Sequence, residues 1–340
     1  MVARGEEQAM RAAVAASEQV RGTTSPNPPV GCVILGTGGE VVGVGSTRPP
    51  GGPHAEVVAL RAAGERARGG TAVVTLEPCS HTGRTPPCTD ALIAAGVARV
   101  VHAASDPNPL ASGGAERLRA AGVEVVSGLL ADEVAAGPLR AWLHFARTGR
   151  PHVTWKYAAT LDGRSAAADG TSKWISSAES RADVHRLRAR ADAIIAGTGT
   201  VRADDPHLTA RAADGTLLER QPLRVVIGDS EIPASAKVLD DAAETVQLPG
   251  GDPRAALAAL AERGIVDVLL EGGPRLAGAF VQAGCVDRVL AYVAPALLGA
   301  GPAALGEAGV GSISQAWRLQ IEETTMSGPD VRISAVPQES

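Results

Sequence analysis

Pro53-His54-Ala55-Glu56 and, after an intervening helix and strand, Leu76-Glu77-Pro78-Cys79-Ser80-His81-Thr82-Gly83-Arg84-Thr85-Pro86-Pro87-Cys88 decide how this sequence is read. The run before the second stretch, Thr71–Leu76 (TAVVTL), is short, apolar and rich in β-branched residues, and reads as a buried strand. Ala55–Ala63 has the apolar spacing of a helix, so His54 and Glu56 sit at a helix start. Cys79 leaves the end of a strand, and Cys88 precedes a helix expected over Asp90–Ala95. Outward from there, Val30–Leu35, Val41–Val44, Arg99–Ala104 and Val123–Val126 read as strands. Ala115–Ala121 and a segment running to about Ala146 read as helices, and the N-terminal twenty residues form an amphipathic one. Strands alternating with helices predict an α/β domain with a mostly parallel sheet covered on both faces. Thr148-Gly149-Arg150-Pro151 is a break between helix and strand, which divides the chain into residues 1–147 and 148–340. The second part begins again with strands at His152–Ala159, Ala193–Gly197, Arg224–Gly228 and Val266–Leu270, with a helix over Ala255–Arg263 before the last.

One imidazole and two thiolates, from His54, Cys79 and Cys88, are good ligands for Zn²⁺, and three protein ligands leave a tetrahedral position open to water. Bound zinc lowers the pKa of such a water toward neutrality. Glu56, two residues beyond the first ligand, is placed to take the water's proton and pass it to a leaving amine. An H-x-E followed by P-C is the signature of zinc deaminases, although their usual second element is P-C-x-x-C, and here eight residues separate Cys79 from Cys88. Taken singly, the cysteines read as buried thiols and His54 as a helix-capping histidine. A closed structural zinc site completed by His81 is a further alternative. Cys32 and Cys285 read as core filler, and His102, His144, His152 and His185 as structural or surface residues.

Composition bounds the rest. At 340 residues the chain has length for about two domains. Net charge is −5 and aromatic residues are only 2%, which speaks against a nucleic-acid-binding protein with its basic surplus and stacking platforms. No apolar run approaches the length of a membrane span, no signal peptide is visible at the N-terminus, and four cysteines do not make a disulfide framework. A cytoplasmic protein is expected.

Three pieces of the second part can carry chemistry. Lys156–Arg164 (KYAATLDGR) places a lysine within a strand, either inward near a ligand's anion or outward on an edge. Gly197–Arg211 (GTGTVRADDPHLTAR) follows a strand with small residues that let a ligand approach the backbone. Glu271-Gly272-Gly273-Pro274-Arg275-Leu276 follows the strand VDVLL, and its two glycines and Pro274 suit a phosphate-binding helix N-terminus.

Ser25-Pro26-Asn27-Pro28, Pro53–Glu56 and the LEPCSHTGRTPPC loop closely resemble the deaminase half of the bifunctional riboflavin-biosynthesis deaminase/reductase family. K-x-x-A-[ST]-L-D-G-[RK], W-I-[ST]-S, T-V-x-x-D-D-P-x-L-x-x-R and E-G-G-P-x-L resemble its reductase half. The resemblance implies a cytidine-deaminase-like α/β/α domain followed by an α/β domain similar to dihydrofolate reductase. It implies zinc on His54, Cys79 and Cys88, catalysis by Glu56, and contacts from Asn27, His81 and Arg84 to the pyrimidine or its ribosyl phosphate. In the reductase half it implies NADPH contacts at Ala158, Trp174, Thr200, Asp204, Ser230 and the Gly273–Gly278 loop with Pro274 and Leu276. Substrate contacts follow at Lys156, Ser172, Arg188, Leu208, Arg211 and Glu271. A phosphoribosyl-pyrimidine substrate and a homo-oligomer with neither nucleic-acid nor membrane partner complete the expectation. Two other classes stay open at this point: a zinc deaminase acting on a nucleic-acid base with a C-terminal binding module, and a non-catalytic zinc-binding regulator.

Overall fold

A hairpin and a glycine-lined strand set the architecture of the first half. The structure, a computed structural model, describes residues 4–82, 86–108 and 113–338, and the chain divides into two units, 1–149 and 150–340. In the first, α1 (Arg4–Gln19) precedes β1 (Gly31–Leu35) and β2 (Val41–Ser46), then α2 (Ala55–Ala63), β3 (Thr71–Leu76), α3 (Cys88–Ala95) and β4 (Arg99–Ala104). α4 (Gly114–Ala120), β5 (Glu124–Ser127), α5 (Ala131–Ala136) and α6 (Arg140–Thr148) complete it. The strand order is β2-β1-β3-β4-β5. Only the β3-β4-β5 half is parallel; β1 runs antiparallel to both β2 and β3. The mostly parallel sheet expected for this half is thus a mixed one, because the short Gly36–Glu40 connection turns β1 back on itself, and a parallel neighbour would need a full crossover.

β1 is buried along its whole length, as a strand covered on both faces must be. The covering helix α2 lies directly on β2. A side chain at Gly45 would put its Cβ 2.4 Å from the Ala55 carbonyl oxygen, and one at Gly43 would put it 2.3 Å from that of Ala59. The glycines of VVGVGS therefore bring α2, and the two polar residues at its start, down onto the sheet. Beside the opposite edge strand β5, His102 is buried, with Nδ1 at 3.1 Å from the Ala104 carbonyl and Nε2 at 2.7 Å from the Ser127 hydroxyl, a structural residue of β4.

The second unit runs β6 (His152–Thr160), α7 (Ala178–Arg190), β7 (Ala193–Gly197), α8 (Thr198–Asp204), β8 (Leu223–Ile227), β9 (Thr245–Leu248), α9 (Pro253–Glu262), β10 (Asp267–Leu270), α10 (Pro274–Gln282), β11 (Arg288–Ala294), β12 (Leu319–Ser327) and β13 (Asp330–Pro337). Its strand order is β12-β13-β11-β6-β10-β7-β8-β9, parallel from β11 to β9 and antiparallel across the last hairpin. Alternate residues feed two cores. Trp155, Ile195, Val225, Leu270 and Phe280 pack on one face, and Ile194, Ala196, Val226 and Leu269 on the other. β6 is interior, between β10 and β11, so Lys156 is not an edge residue. α7 crosses the face of the sheet that carries Lys156, Leu290 and Tyr292, and Val184 packs with the latter two.

Candidate active sites

In the first unit, helix and strand ends converge on one point. His54 is the residue before α2, with extended backbone and no capping hydrogen bond; its Nδ1 lies 3.2 Å from the Cys88 sulfur and 3.7 Å from that of Cys79. Cys79 hangs from the end of β3, where its sulfur accepts the Cys88 backbone N–H at 3.4 Å. Cys88 opens α3 itself. The three ligand atoms all lie within 4.8 Å of one another. Ligands about 2.0–2.3 Å from a tetrahedral zinc are separated from each other by about 3.5 Å, so the donor set fits the ion. Charge says the same. The hydrogen bond from Cys88 first, then that from His54, pulls the Cys79 thiol down to about 4. Cys88, beside that thiolate and buried, is pushed far up. Both sulfurs are anionic together only with a cation between them.

Glu56 is on the first turn of α2 and 4% exposed. Burial first, and the neighbouring Cys79 charge second, push its carboxyl up to about 7. It shares a cavity of about 390 Å³ with His54, Cys79, Asn27 and His81. Arg84 lies outside the described residues. Asp106, Asn108, Thr47 and Trp142 also line this cavity, and sequence reasoning did not single them out. Asp106-Pro107-Asn108 was findable: it is a turn following the C-terminal end of a strand, the place where open α/β sheets bind ligands. Glu77, almost buried, fixes that turn by accepting N–H groups from Asp106 (3.4 Å) and Ala115 (3.0 Å). Cys32 and Cys285 are both buried, and Cys285 belongs to the core cluster around Phe280.

In the second unit a cavity of about 880 Å³ opens at the C-terminal ends of β6, β7, β8 and β10. Lys156, Ala158, Ser172, Thr200, Asp204, Ser230, Glu271, Gly273, Pro274 and Leu276, all singled out from sequence, line it. Glu271 is its electrostatic centre. Arg188 donates to it twice, from Nε at 2.6 Å and from a terminal nitrogen at 2.9 Å, and the Lys156 Nζ stands 3.9 Å away. Burial alone would raise the Glu271 carboxyl, but the Arg188 charge and hydrogen bonds outweigh it and hold it at about 2. Lys156 is pushed below the usual lysine range by burial, with Glu271 opposing; its ammonium lies 5.9 Å from the Tyr292 ring centre.

The remaining residues named from sequence stand elsewhere. Arg188 meets the cavity only through Glu271, its other bond going to the Thr209 carbonyl at 3.1 Å. Arg211 is turned into its own loop, onto Thr209 (3.2 Å) and Gly215 (2.9 Å). Leu208 is 3% exposed in the core beneath α8. Trp174 is exposed, its ring 4.5 Å from the Arg181 guanidinium. Gly278 faces away from the cavity, because a Cβ there would lie 2.0 Å from the Glu307 carbonyl oxygen.

The first cavity, with its His/Cys/Cys donors and buried carboxylate, is that of a zinc-dependent hydrolytic deaminase. The second, at the C-terminal edge of a parallel sheet, is that of a nucleotide-dependent reductase. Residues 3–104 match the cytidine and deoxycytidylate deaminase zinc-binding region, and residues 151–333 match the RibD C-terminal domain. The riboflavin biosynthesis protein RibD of Mycobacterium tuberculosis (strain H37Rv) is 58% identical over 330 residues, 97% of either chain. That of Escherichia coli (strain K12) is 42% identical, covering 97% of this chain and 99% of its own. The Acinetobacter baumannii RibD structure, form 1, superposes with a TM-score of 0.90 at 38% identity, covering 99% of each chain. The chain belongs to the RibD family of bifunctional riboflavin-biosynthesis proteins. It is a deaminase and a reductase acting on a small molecule, with Zn²⁺ and NADPH as cofactors. A cytidine-deaminase-like domain followed by a RibD reductase domain is its fold, as the motifs led one to expect. Similarity over both halves leaves a C-terminal nucleic-acid module without support. Among the described residues no helix is long and apolar enough to cross a membrane.

Proposed function

We propose that a deaminase domain, residues 1–147, removes ammonia hydrolytically from 2,5-diamino-6-(5-phosphoribosylamino)pyrimidin-4-one, and that a reductase domain, residues 148–340, converts the ribosyl group of the product to ribityl with NADPH. His54, Cys79 and Cys88 hold the zinc. Zinc, when bound, makes a coordinated water acidic enough to act as a nucleophile near neutral pH. Glu56 receives that water's proton on its carboxylate and returns it to the departing amine, which leaves as ammonia. Asn27 and His81 orient the pyrimidine, and Arg84 takes its phosphate through a planar guanidinium.

In the reductase domain NADPH, when bound, supplies the hydride. Ala158, Trp174, Thr200, Asp204, Ser230, Gly273, Pro274 and Leu276 hold it, with the Thr200 hydroxyl already accepting the Gly273 N–H at 3.2 Å. Glu271, ionised between Arg188 and Lys156, accepts hydrogen bonds from ring or sugar hydroxyls. Lys156 and Arg211 take the phosphate or orient the sugar, Ser172 completes the substrate side, and Arg188 acts on it only through Glu271. The exposure of Trp174 and the turned-in Arg211 require both to move when ligands bind. The reading has the enzyme cytoplasmic, homo-oligomeric and without a nucleic-acid partner, the last supported by its charge of −5.

The convergence of His54, Cys79, Cys88 and Glu56 on one cavity carries this reading. Its test is a coupled assay on purified, zinc-loaded protein. Ammonia release from the diaminopyrimidine phosphate should come first, with NADPH oxidation starting only afterwards. Zinc-loaded protein that shows neither activity refutes it.

A further inference from the structure

Two arginines inside the quoted motifs but given no role so far, Arg202 and Arg275, line the reductase cavity. Both are exposed, and among the described residues neither has a hydrogen-bond or ion-pair partner. The cavity's other charges are committed. Lys156 stands beside Glu271, and Asp204 accepts from Ser172 at 3.5 Å while its carbonyl takes Lys173 at 2.9 Å.

The two guanidiniums occupy different parts of the cavity wall. Arg275 is on the first turn of α10, beside the Gly272-Gly273 turn. Arg202 is on α8, which is fastened at both ends to the segment following β8. At its start the Thr198 hydroxyl crowds Gly228, coming within 2.4 Å of where a Cβ would stand. At its end the Asp205 carboxylate accepts the Lys237 N–H at 2.8 Å. Residues four apart share one helix face, so Arg202 follows Thr198 on the side turned to that segment, where Gly228, Ser230, Gly250 and Gly251 line the cavity. Two acids flank Ser230. Asp229 is drawn aside to the Gly250 N–H at 3.1 Å, and neither it nor Glu231 lines the cavity. A carboxylate facing the cavity there would suit the ribose hydroxyls of NADH, whereas an arginine suits a 2′-phosphate.

We infer that Arg202, together with Ser230, receives the 2′-phosphate of NADPH and is the residue by which this reductase discriminates against NADH. The inference rests on the reductase reading above and assigns the cofactor's orientation: its adenosine end toward β8 and β9, its pyrophosphate by α10 and Arg275. Discrimination then resides in one charge that the described residues leave unpaired, ready for an anion.

Cofactor affinity of the full zinc-loaded chain, measured by calorimetry with NADPH and separately with NADH, tests this without turnover. Arg202→Gln is expected to weaken NADPH by about 10- to 100-fold, the worth of a charge-assisted hydrogen bond, and to leave NADH unchanged. Unaltered NADH binding also shows that the variant folds. Arg202→Lys should recover part of the loss, and Arg275→Gln should weaken both cofactors alike. Equal weakening of both cofactors by Arg202→Gln, no weakening at all, or a selective loss in Arg275→Gln instead overturns the inference and leaves the reductase reading standing. Wild-type protein that binds neither cofactor overturns both.

Discussion

Replacing Arg188 by Met tests the electrostatic design of the reductase cavity. The side chain keeps its bulk against α7's neighbours but loses the two charge-assisted bonds to Glu271, at 2.6 and 2.9 Å. In the wild type the Glu271 carboxyl is held from 4.5 down to about 2, a displacement that corresponds to about 3 kcal/mol of stabilisation by linkage. Lys156 at 3.9 Å stays behind as the remaining counter-charge, so the loss falls at the low end of the roughly 3–5 kcal/mol seen when a buried pair is broken. For a unit of this size about 3 kcal/mol lowers Tm by about 6–12 °C. The sign with pH follows from the direction of the shift. A carboxyl whose folded pKa is depressed stabilises fully above its unfolded value and loses that contribution as pH falls through the folded one. The gap between wild type and Arg188→Met should therefore be full at neutral pH and close between about 4.5 and 2. Scanning calorimetry of the full chain reads it, the reductase transition being the one that NADPH raises. Reductase activity should drop and deaminase activity should not. A gap below about 2 °C at neutral pH, or one as wide at pH 3, within that closing window, as at neutrality, refutes the argument.

Glu56→Gln should lower ammonia release by about 10²- to 10⁴-fold with stoichiometric zinc retained by elemental analysis and NADPH binding unaltered; loss of the metal would make Glu56 a structural residue instead. Gly45→Ala puts a Cβ 2.4 Å from backbone atoms of α2, which should destabilise the first unit by about 1–3 kcal/mol in urea and depress deamination as His54 and Glu56 shift, without touching reduction. Asp240→Asn should weaken the second unit by about 1.5–3 kcal/mol, because the fully buried Arg224 keeps only carbonyl oxygens in place of the carboxylate at 2.7 Å. Arg224→Met, which leaves a partly exposed aspartate rather than a buried cation, should do less damage in the same denaturation experiment.

What could be read from the sequence was what one segment determines by itself. TAVVTL, RVVHAA and ADAIIAG are buried on both faces, and an unbroken apolar run is the mark of such strands; the observed β3 and β4 coincide with the expected ranges. β12 left no such mark. Its residues LQIEETTMS are exposed almost throughout, so neither alternation nor apolar content announces a strand, and only pairing with β13 makes it one. The helix α8 was hidden for a different reason: TGTVRAD opens with glycine and β-branched residues, poor helix formers, and its position depends on Gly228 and Lys237, some thirty residues on. The direction of β1 was also not in its own residues, since GCVIL would serve a parallel or an antiparallel strand equally.

The two cavities differ in the same sense. In the first, chemistry sets the spacing: the metal donors and the proton-transferring carboxylate must come from adjacent ends of two helices and the strand between them, so they lie in two short quotable stretches. In the second, Glu271 depends on Arg188, 83 residues away in sequence, and Lys156 meets it only because β6 and β10 are neighbours in the sheet. Here the motifs mark where backbone approaches a ligand, while the charges that set the electrostatics come from side chains on other elements. Arg188 is one of three arginines in RLRARAD, and nothing in that run distinguishes the one that turns inward. Tertiary packing selects it: α7 lies across β6 and β11 with Val184 against Leu290, and the residue one turn later reaches the strand end where Glu271 emerges. A sequence therefore names a site most fully when the reaction itself brings ligands close along the chain, and less fully when the site is completed by the sheet order.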